Sequence, residues 1–237
     1  YLHQTYPNQP IKVVIAFDCR HNSQFFAKLV ADVFSANGIE VFLFEDLRAT
    51  PELSFALKHL GCQCGIVLTV THNPPEYNGY KVYWEDGGQL VPPFDGEIIT
   101  LINSLEYTDI NFSAKEELIH TIGKDVDDVF VNAAVRNGCL EANTPKTREN
   151  LSVVFTALHG TSITAVPETL KRAGYTNVHL VEVQSIPNGD FPTVKSPNPE
   201  EPEALKMALE LAEEVNADIV IGTDPDCDRL GIAVRNY

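Results

Sequence analysis

The sequence predicts an α/β protein built as two tandem βαβ-type domains, with mixed, mostly parallel sheets covered by helices. Three observations carry this expectation. Short apolar runs rich in β-branched residues alternate with stretches whose apolar residues recur every three or four positions. The alternation stops at a polar, proline-containing segment over residues 137–150 and then restarts. The length of 237 residues suits two modest domains better than one large one.

In the first unit, residues 11–17 form an apolar run that ends in Asp18-Cys19-Arg20. Phe25, Phe26, Leu29, Val30, Val33 and Phe34 follow at helical spacing and are expected to pack on the sheet. Asn37-Gly38 stops that helix, and residues 39–44 read as the second strand. A shorter helix over 52–60 leads through Gly61 to a strand over 65–70. Residues 80–84 and 89–91 flank Asp86-Gly87-Gly88 and predict a hairpin appended to the sheet. Helices are expected over 95–105 and 125–136. The boundary falls in the aperiodic segment, giving domains at 1–145 and 146–237.

The second unit repeats the rhythm: strand 151–158, helix 162–173, a stop at Gly174, strand 178–183 and a long proline-rich loop. A helix over 203–215 places Leu205, Leu209, Ala212 and Val215 on one face. The strand over 218–221 then delivers the chain to Thr223-Asp224-Pro225-Asp226-Cys227-Asp228-Arg229.

Composition narrows the partners. With 44% hydrophobic and 21% charged residues the chain reads as an ordinary globular protein, without an apolar run long enough to cross a bilayer. A formal charge of −16, from 33 acidic and 17 basic residues, argues against nucleic acid as a ligand. A small phosphorylated ligand remains compatible, since it needs only a local cation cluster or a metal ion. Five irregularly spaced cysteines predict reduced thiols in a cytoplasmic protein, with Cys62 and Cys64 as buried, inert groups. The chain opens on Tyr1 and its one methionine is Met207, which predicts a piece of a longer protein.

Chemistry concentrates in two loops. Asp224, Asp226 and Asp228 alternate just beyond an apolar strand, where open α/β sheets bind ligands. Such a set is either a solvated acidic turn or, where the carboxylates converge, a site for a hard divalent cation, with Mg²⁺ favoured. An EF-hand does not fit, because Arg229 and Arg235 stand where glycine and glutamate are required. Arg229 is a salt-bridge partner for the acids or a fork for a phosphoryl group. The other loop, Thr69-Val70-Thr71-His72-Asn73-Pro74, presents a hydroxyl at a strand end, and Lys81 follows closely enough to fold back beside it. Alone this loop reads as a turn. With a metal loop it makes a phosphoryl-transfer set.

Together the two loops resemble the α-D-phosphohexomutase (phosphoglucomutase/phosphomannomutase) family, which carries Ser-His-Asn-Pro in its first domain and Asp-x-Asp-x-Asp-Arg in its second. The matching segments here are residues 71–81 and 224–229, in the same order. Asp18-Cys19-Arg20, Leu158-His159-Gly160-Thr161 and Pro197-Asn198-Pro199-Glu200-Glu201-Pro202 add to the likeness, and residues 78–84 look most like the phosphopentomutase/type-2 phosphoglucomutase branch.

The resemblance implies domains one and two of a four-domain enzyme, inactive or nearly so without its C-terminal domains. It implies an intramolecular phosphotransferase that interconverts sugar 1-phosphates and 6- (or 5-) phosphates through a phospho-enzyme and a sugar bisphosphate, which also serves as activator. It assigns Mg²⁺ to Asp224, Asp226 and Asp228 with a phosphoryl oxygen on the carrier. It places Thr71, His72, Lys81 and Arg229 in catalysis, and Arg20, Asn73 and Arg229 in substrate or phosphate binding. Position 71 departs from the family, with Thr in place of Ser; the hydroxyl is kept, but the β-methyl restricts χ1. Two other readings stand beside this one: a non-catalytic sugar-phosphate-binding homologue, and a Mg-dependent phosphatase of the haloacid-dehalogenase type. The phosphatase would leave the Thr71 loop unexplained.

Overall fold

In the computed structural model, which describes residues 1–71, 73–138, 140 and 144–235, the first alternation closes into a five-stranded sheet. A short helix α1 (Leu2–Thr5) precedes β1 (Lys12–Phe17), α2 (Ser23–Ala36), β2 (Glu40–Phe44), α3 (Thr50–His59) and β3 (Cys64–Leu68). Then come β4 (Tyr80–Trp84), α4 (Phe94–Ser104), β5 (Ile119–Ile122) and α5 (Lys124–Asn137). The strand order is β4-β3-β1-β2-β5, parallel except for β4, which runs antiparallel on the edge.

The central strand β1 is apolar on both faces because both are covered. Val13, Ile15 and Phe17 pack with α2, while Val14 and Ala16 pack with Leu53, Ala56 and Leu57 of α3. The helix predicted at 25–34 is α2, but its packing face differs from the expected one. Ala27 and Ala31 are buried with Val30 and Phe34 beside them, whereas Phe25 is 63% exposed and Leu29 40%. Small side chains let the helix axis approach the sheet closely, which leaves the larger ones on its flanks.

The appended hairpin is partly as expected. β4 pairs with β3, and the returning arm makes a single bridge, Tyr83 with Gln89, across the turn at Asp86-Gly87-Gly88. β5 lies outside the sequence-based expectation. It has four residues, two of them His120 and Thr121, and lies on the sheet edge.

After α6 (Pro145–Asn150) the second unit comprises β6 (Val153–Thr156), α7 (Val166–Arg172), β7 (Val178–Leu180), α8 (Lys206–Glu214), β8 (Ile219–Thr223) and β9 (Leu230–Val234). Of the expected linker, residues 139 and 141–143 lie outside the described residues. The sheet runs β7-β6-β8-β9, with β9 antiparallel to β8, so the acidic loop is a hairpin connection. Val154 and Val220 pack with α8, where Ala208 is the buried residue; of the expected face, Leu209 and Ala212 are half-buried on the helix, and Leu205 and Val215 flank it. Among the described residues, no helix is long and apolar enough to cross a membrane.

Two of the junctions between the units lie away from the acidic loop. Helix α5 packs against both α3 and α7, with Arg48 forked onto Asp127 (2.7 and 2.9 Å) and Arg172 donating a single hydrogen bond to Asp128 (2.6 Å). On the other side, the loop after β7 docks on the turn between β1 and α2. His21 meets Asp190 at 2.7 Å, and the Arg20 guanidinium lies 5.1 Å from the centre of the Phe191 ring. Gly189 permits this approach, because a Cβ there would stand 2.7 Å from the Cys19 carbonyl oxygen and 3.0 Å from Arg20 Cα. Gly189→Ala is expected to lower the unfolding free energy by about 1–3 kcal/mol, as overpacking does. Urea denaturation checks this, and an unchanged midpoint would mean that the loop does not dock there.

Candidate active site

The 224–229 loop, between β8 and β9, is fixed so that its carboxylates converge. Asp224 Oδ1 accepts the backbone N–H groups of Asp228 and Arg229, both at 3.0 Å. Asp226 Oδ2 accepts from two side chains of the first unit, the Thr50 hydroxyl at 3.0 Å and the Lys81 ammonium at 2.7 Å. Lys81 also donates to Asp228 Oδ2 at 2.7 Å. One oxygen from each aspartate lies within 4.8 Å of the others.

The remaining oxygens of the two buried aspartates, Asp224 Oδ2 and Asp226 Oδ1, are out of water and accept no hydrogen bond. Orphaned buried carboxylate oxygens are costly, and a hard cation with oxygen ligands satisfies them. The residues present therefore fit a divalent ion such as Mg²⁺. Electrostatics agree. Burial, then the charge of Asp226, pushes the Asp224 carboxyl up to about 8. Burial works against the Lys81 charge, yet Asp226 and Asp228 outweigh it and hold the ammonium above its ordinary range. Cys227 is pushed up to about 12, chiefly by burial and then by Asp224, so it remains a thiol.

Leu158-His159-Gly160-Thr161 is the seat of this loop. Leu158 and His159 both take left-handed backbone angles, φ 46° and 64°. That turn lays Gly160 against the backbone of Pro225, where any Cβ would overlap it. Thr161 then donates its N–H (2.8 Å) and its hydroxyl (2.9 Å) to the Pro225 carbonyl. The His159 ring is consumed structurally, bridging the Ile186 carbonyl and the Thr193 hydroxyl at 2.9 Å each.

The hydroxyl loop leaves the end of β3, and Lys81 returns on β4 opposite Val67. Thr69 is buried and donates its hydroxyl to Asp18 Oδ2 (2.7 Å), while the Thr71 N–H donates to Thr69 Oγ1 (3.2 Å). Arg20 has no exposed side-chain surface. It donates to the carbonyls of Thr71 and Pro74, both at 2.9 Å, and its Nε lies 3.2 Å from Asp18 Oδ2 without hydrogen-bond geometry. Thr71 itself has φ 57°, a left-handed conformation that a β-branched residue adopts only when its surroundings impose it.

The sequence-predicted residues thus divide. Asp224, Asp226, Asp228 and Lys81 come together. Thr71 and Arg20 are joined in the neighbouring loop, where Arg20 clamps the backbone. Asn73 is exposed there and donates its N–H to the Val70 carbonyl. Arg229 points away from the carboxylates to Glu200 at 3.4 Å, while its backbone N–H serves Asp224. His72 lies outside the described residues. Sequence reasoning does not find Thr50, whose one local signal is its place at a helix start before Pro51.

Two family models match in succession: phosphoglucomutase/phosphomannomutase, alpha/beta/alpha domain I, over residues 1–109, and domain II over residues 128–237. Phosphoglucomutases of Staphylococcus epidermidis (strain RP62A) and Staphylococcus aureus (strain N315) are each 40% identical to the chain over 94% of its length. That aligned part is 41% and 40% of the respective relatives, so the chain spans about two fifths of the curated proteins it matches. A solved phosphoglucomutase/phosphomannomutase family protein from Burkholderia thailandensis superimposes with TM-score 0.76 at 25% identity, covering 98% of this chain and 48% of that one. A solved structure from Thermus thermophilus reaches 0.79 at 23% identity, covering 98% and 50%, a likeness of fold alone. The chain belongs to the phosphoglucomutase/phosphomannomutase family.

The raised carboxyl at Asp224 sets a pH dependence. Its folded value lies above the ordinary 3.8, so between about 4 and 8 the folded state holds a proton that the unfolded state releases. Stability of the metal-free protein should therefore fall as pH rises through that window. Glu52, raised to about 8 by burial and then by Asp127, adds a slope of the same sign. Urea midpoints with a chelator present should drop between about pH 5 and about pH 8, and Asp224→Asn should remove part of that drop.

Proposed function

We propose that this chain is the phosphoryl-carrier and metal-binding part of a sugar-phosphate mutase. The reaction is interconversion of sugar 1-phosphates and 6- (or 5-) phosphates through a phospho-enzyme and a sugar bisphosphate. The observation that carries this reading is Lys81. It sits on the strand that follows the Thr71 loop and donates to two carboxylates of the other unit's acidic loop, which supports reading the two motifs as one site.

In the proposed reaction a sugar hydroxyl attacks the phosphoryl group on Thr71 and releases its proton to solvent. The new P–O bond forms to the sugar as the bond to Thr71 Oγ1 breaks. Lys81, held in its ammonium form, supplies a proton or positive charge to the departing oxygen. After the bisphosphate reorients, its other phosphoryl group returns to Thr71. Bound Mg²⁺ would be held by Asp224, Asp226 and Asp228 and would supply charge neutralisation during transfer. Arg20 keeps the carrier loop in line by gripping its carbonyls. Arg229, half-exposed at the loop edge, and Asn73, exposed beside Thr71, are available to phosphate oxygens, and the resemblance gives His72 a part in catalysis.

The remaining sugar and phosphate contacts belong, on this reading, to C-terminal domains of a longer chain. The boundary near residue 145 and a cytoplasmic location are part of the same proposal.

The test uses the full-length gene product with Mg²⁺, a bisphosphate primer, and glucose, mannose or ribose 1-phosphate as substrate. Turnover is expected on at least one of them. Thr71→Ser should match or exceed the unmodified protein, because it keeps the hydroxyl and removes the branch that opposes the left-handed backbone. Thr71→Val should abolish turnover; undiminished activity in that variant would overturn the assignment of the carrier. Binding without turnover in both the unmodified protein and Thr71→Ser would favour a non-catalytic sugar-phosphate-binding homologue.

A further inference from the structure

We infer that Thr50, in the first unit, is a positioning residue for the metal ligand Asp226 of the second, so that cation binding is coupled to closure of the two units at this junction. The inference rests on the metal reading proposed above. It starts from the different ways in which the three carboxylates are held. Asp224 is oriented from within its own loop, by two backbone N–H groups. Asp226 has no such anchor among the described residues: the hydrogen bonds to its carboxylate come from Thr50 and Lys81, both in the other unit and both at Oδ2.

Anchoring Oδ2 from that side leaves Oδ1 as the free, buried oxygen, and the anchor therefore decides which way the carboxylate plane presents itself. Lys81 alone is a poor guide for that plane. Its side chain is long, and its ammonium is shared with Asp228. Thr50 is a rigid one. It is buried, β-branched, and the first residue of the ten-residue helix α3.

The same residue makes a second contact across the junction. The Thr50 N–H, one of the donors that a helix start leaves unpaired, donates to the Asp226 backbone carbonyl at 2.9 Å. Thr50 thus holds Asp226 at both backbone and side chain. A cation that requires Asp226 in this orientation favours the closed arrangement, and by linkage the closed arrangement favours the cation.

The experiment is a Mn²⁺ titration of the full-length protein by calorimetry, comparing the unmodified chain, Thr50→Val and Thr50→Ser. Valine keeps the shape and the backbone N–H and deletes only the hydroxyl. Thr50→Val is expected to weaken Mn²⁺ binding by about 10- to 100-fold, and Thr50→Ser to restore it to within about threefold of the unmodified protein. Hydrogen exchange in the unmodified protein gives a measurement independent of any variant. Mn²⁺ should slow exchange at the start of α3, in a unit that contributes none of the three aspartates.

Equal Mn²⁺ affinity in a folded Thr50→Val, or exchange at α3 indifferent to Mn²⁺ that does bind, would overturn the inference and leave the metal site standing. An unmodified protein that binds no Mn²⁺ would instead overturn the metal reading itself, and this inference with it.

Discussion

Three aspartates bring their oxygens within 4.8 Å of one another, and two of these residues are shut away from water. Among the described residues, the side-chain cation that touches them is Lys81, and the hydroxyl of Thr50 and two backbone N–H groups supply the rest of the compensation. Much of the architecture follows from that repulsion. The loop needs a firm seat, which the left-handed turn at Leu158 and His159 and the bare backbone of Gly160 provide. It also needs donors from outside its own unit, and the first unit supplies them from β4 and the start of α3. In the register of β4 on β3, Lys81 and Tyr83 share a face, and Tyr83 packs with α3. The ammonium is thereby delivered to the start of that helix, where Thr50 stands.

The hydroxyl loop is governed by a different constraint. Thr71 must sit where its backbone is left-handed, and the fold imposes this through a short chain of buried contacts: Asp18 to Thr69, Thr69 to the Thr71 amide, and Arg20 to the carbonyls of Thr71 and Pro74. Phe191 of the second unit lies against the guanidinium. Strain in this loop and rigidity in its supports are complementary, since a strained residue keeps its conformation only when its neighbours over-determine it.

Much of this is legible in the sequence, and the exceptions have physical causes. Strands β1, β3 and β6 are buried on both faces and announce themselves as unbroken apolar runs. β5 is short and polar in its middle, and β9 follows so closely on the acidic loop that its apolar run does not stand out as a separate element. In α2, apolar residues surround so much of the helix that periodicity alone selects the bulky side chains, while close packing selects Ala27 and Ala31. The aspartates can be found because their spacing is local. Thr50 cannot, because its partner is 176 residues away, and the supporting part of Thr69 is equally hidden, 51 residues from Asp18. For Arg20 the family resemblance implies a ligand contact, and the structure places its charge inside the fold, on Asp18 and two carbonyls.

The separation between Lys81 and Asp226 has a consequence during synthesis. The ribosome adds the 145 residues between them at about 5–20 per second, so Lys81 waits roughly 7–29 s for its acidic partner. Once β5 has also been made, the first sheet can be complete while Thr50 at the start of α3 and Lys81 on β4 still lack their partner in the second unit. A first unit that folds in that interval would carry Lys81 without its two carboxylate partners until the hairpin of β8 and β9 has left the exit tunnel.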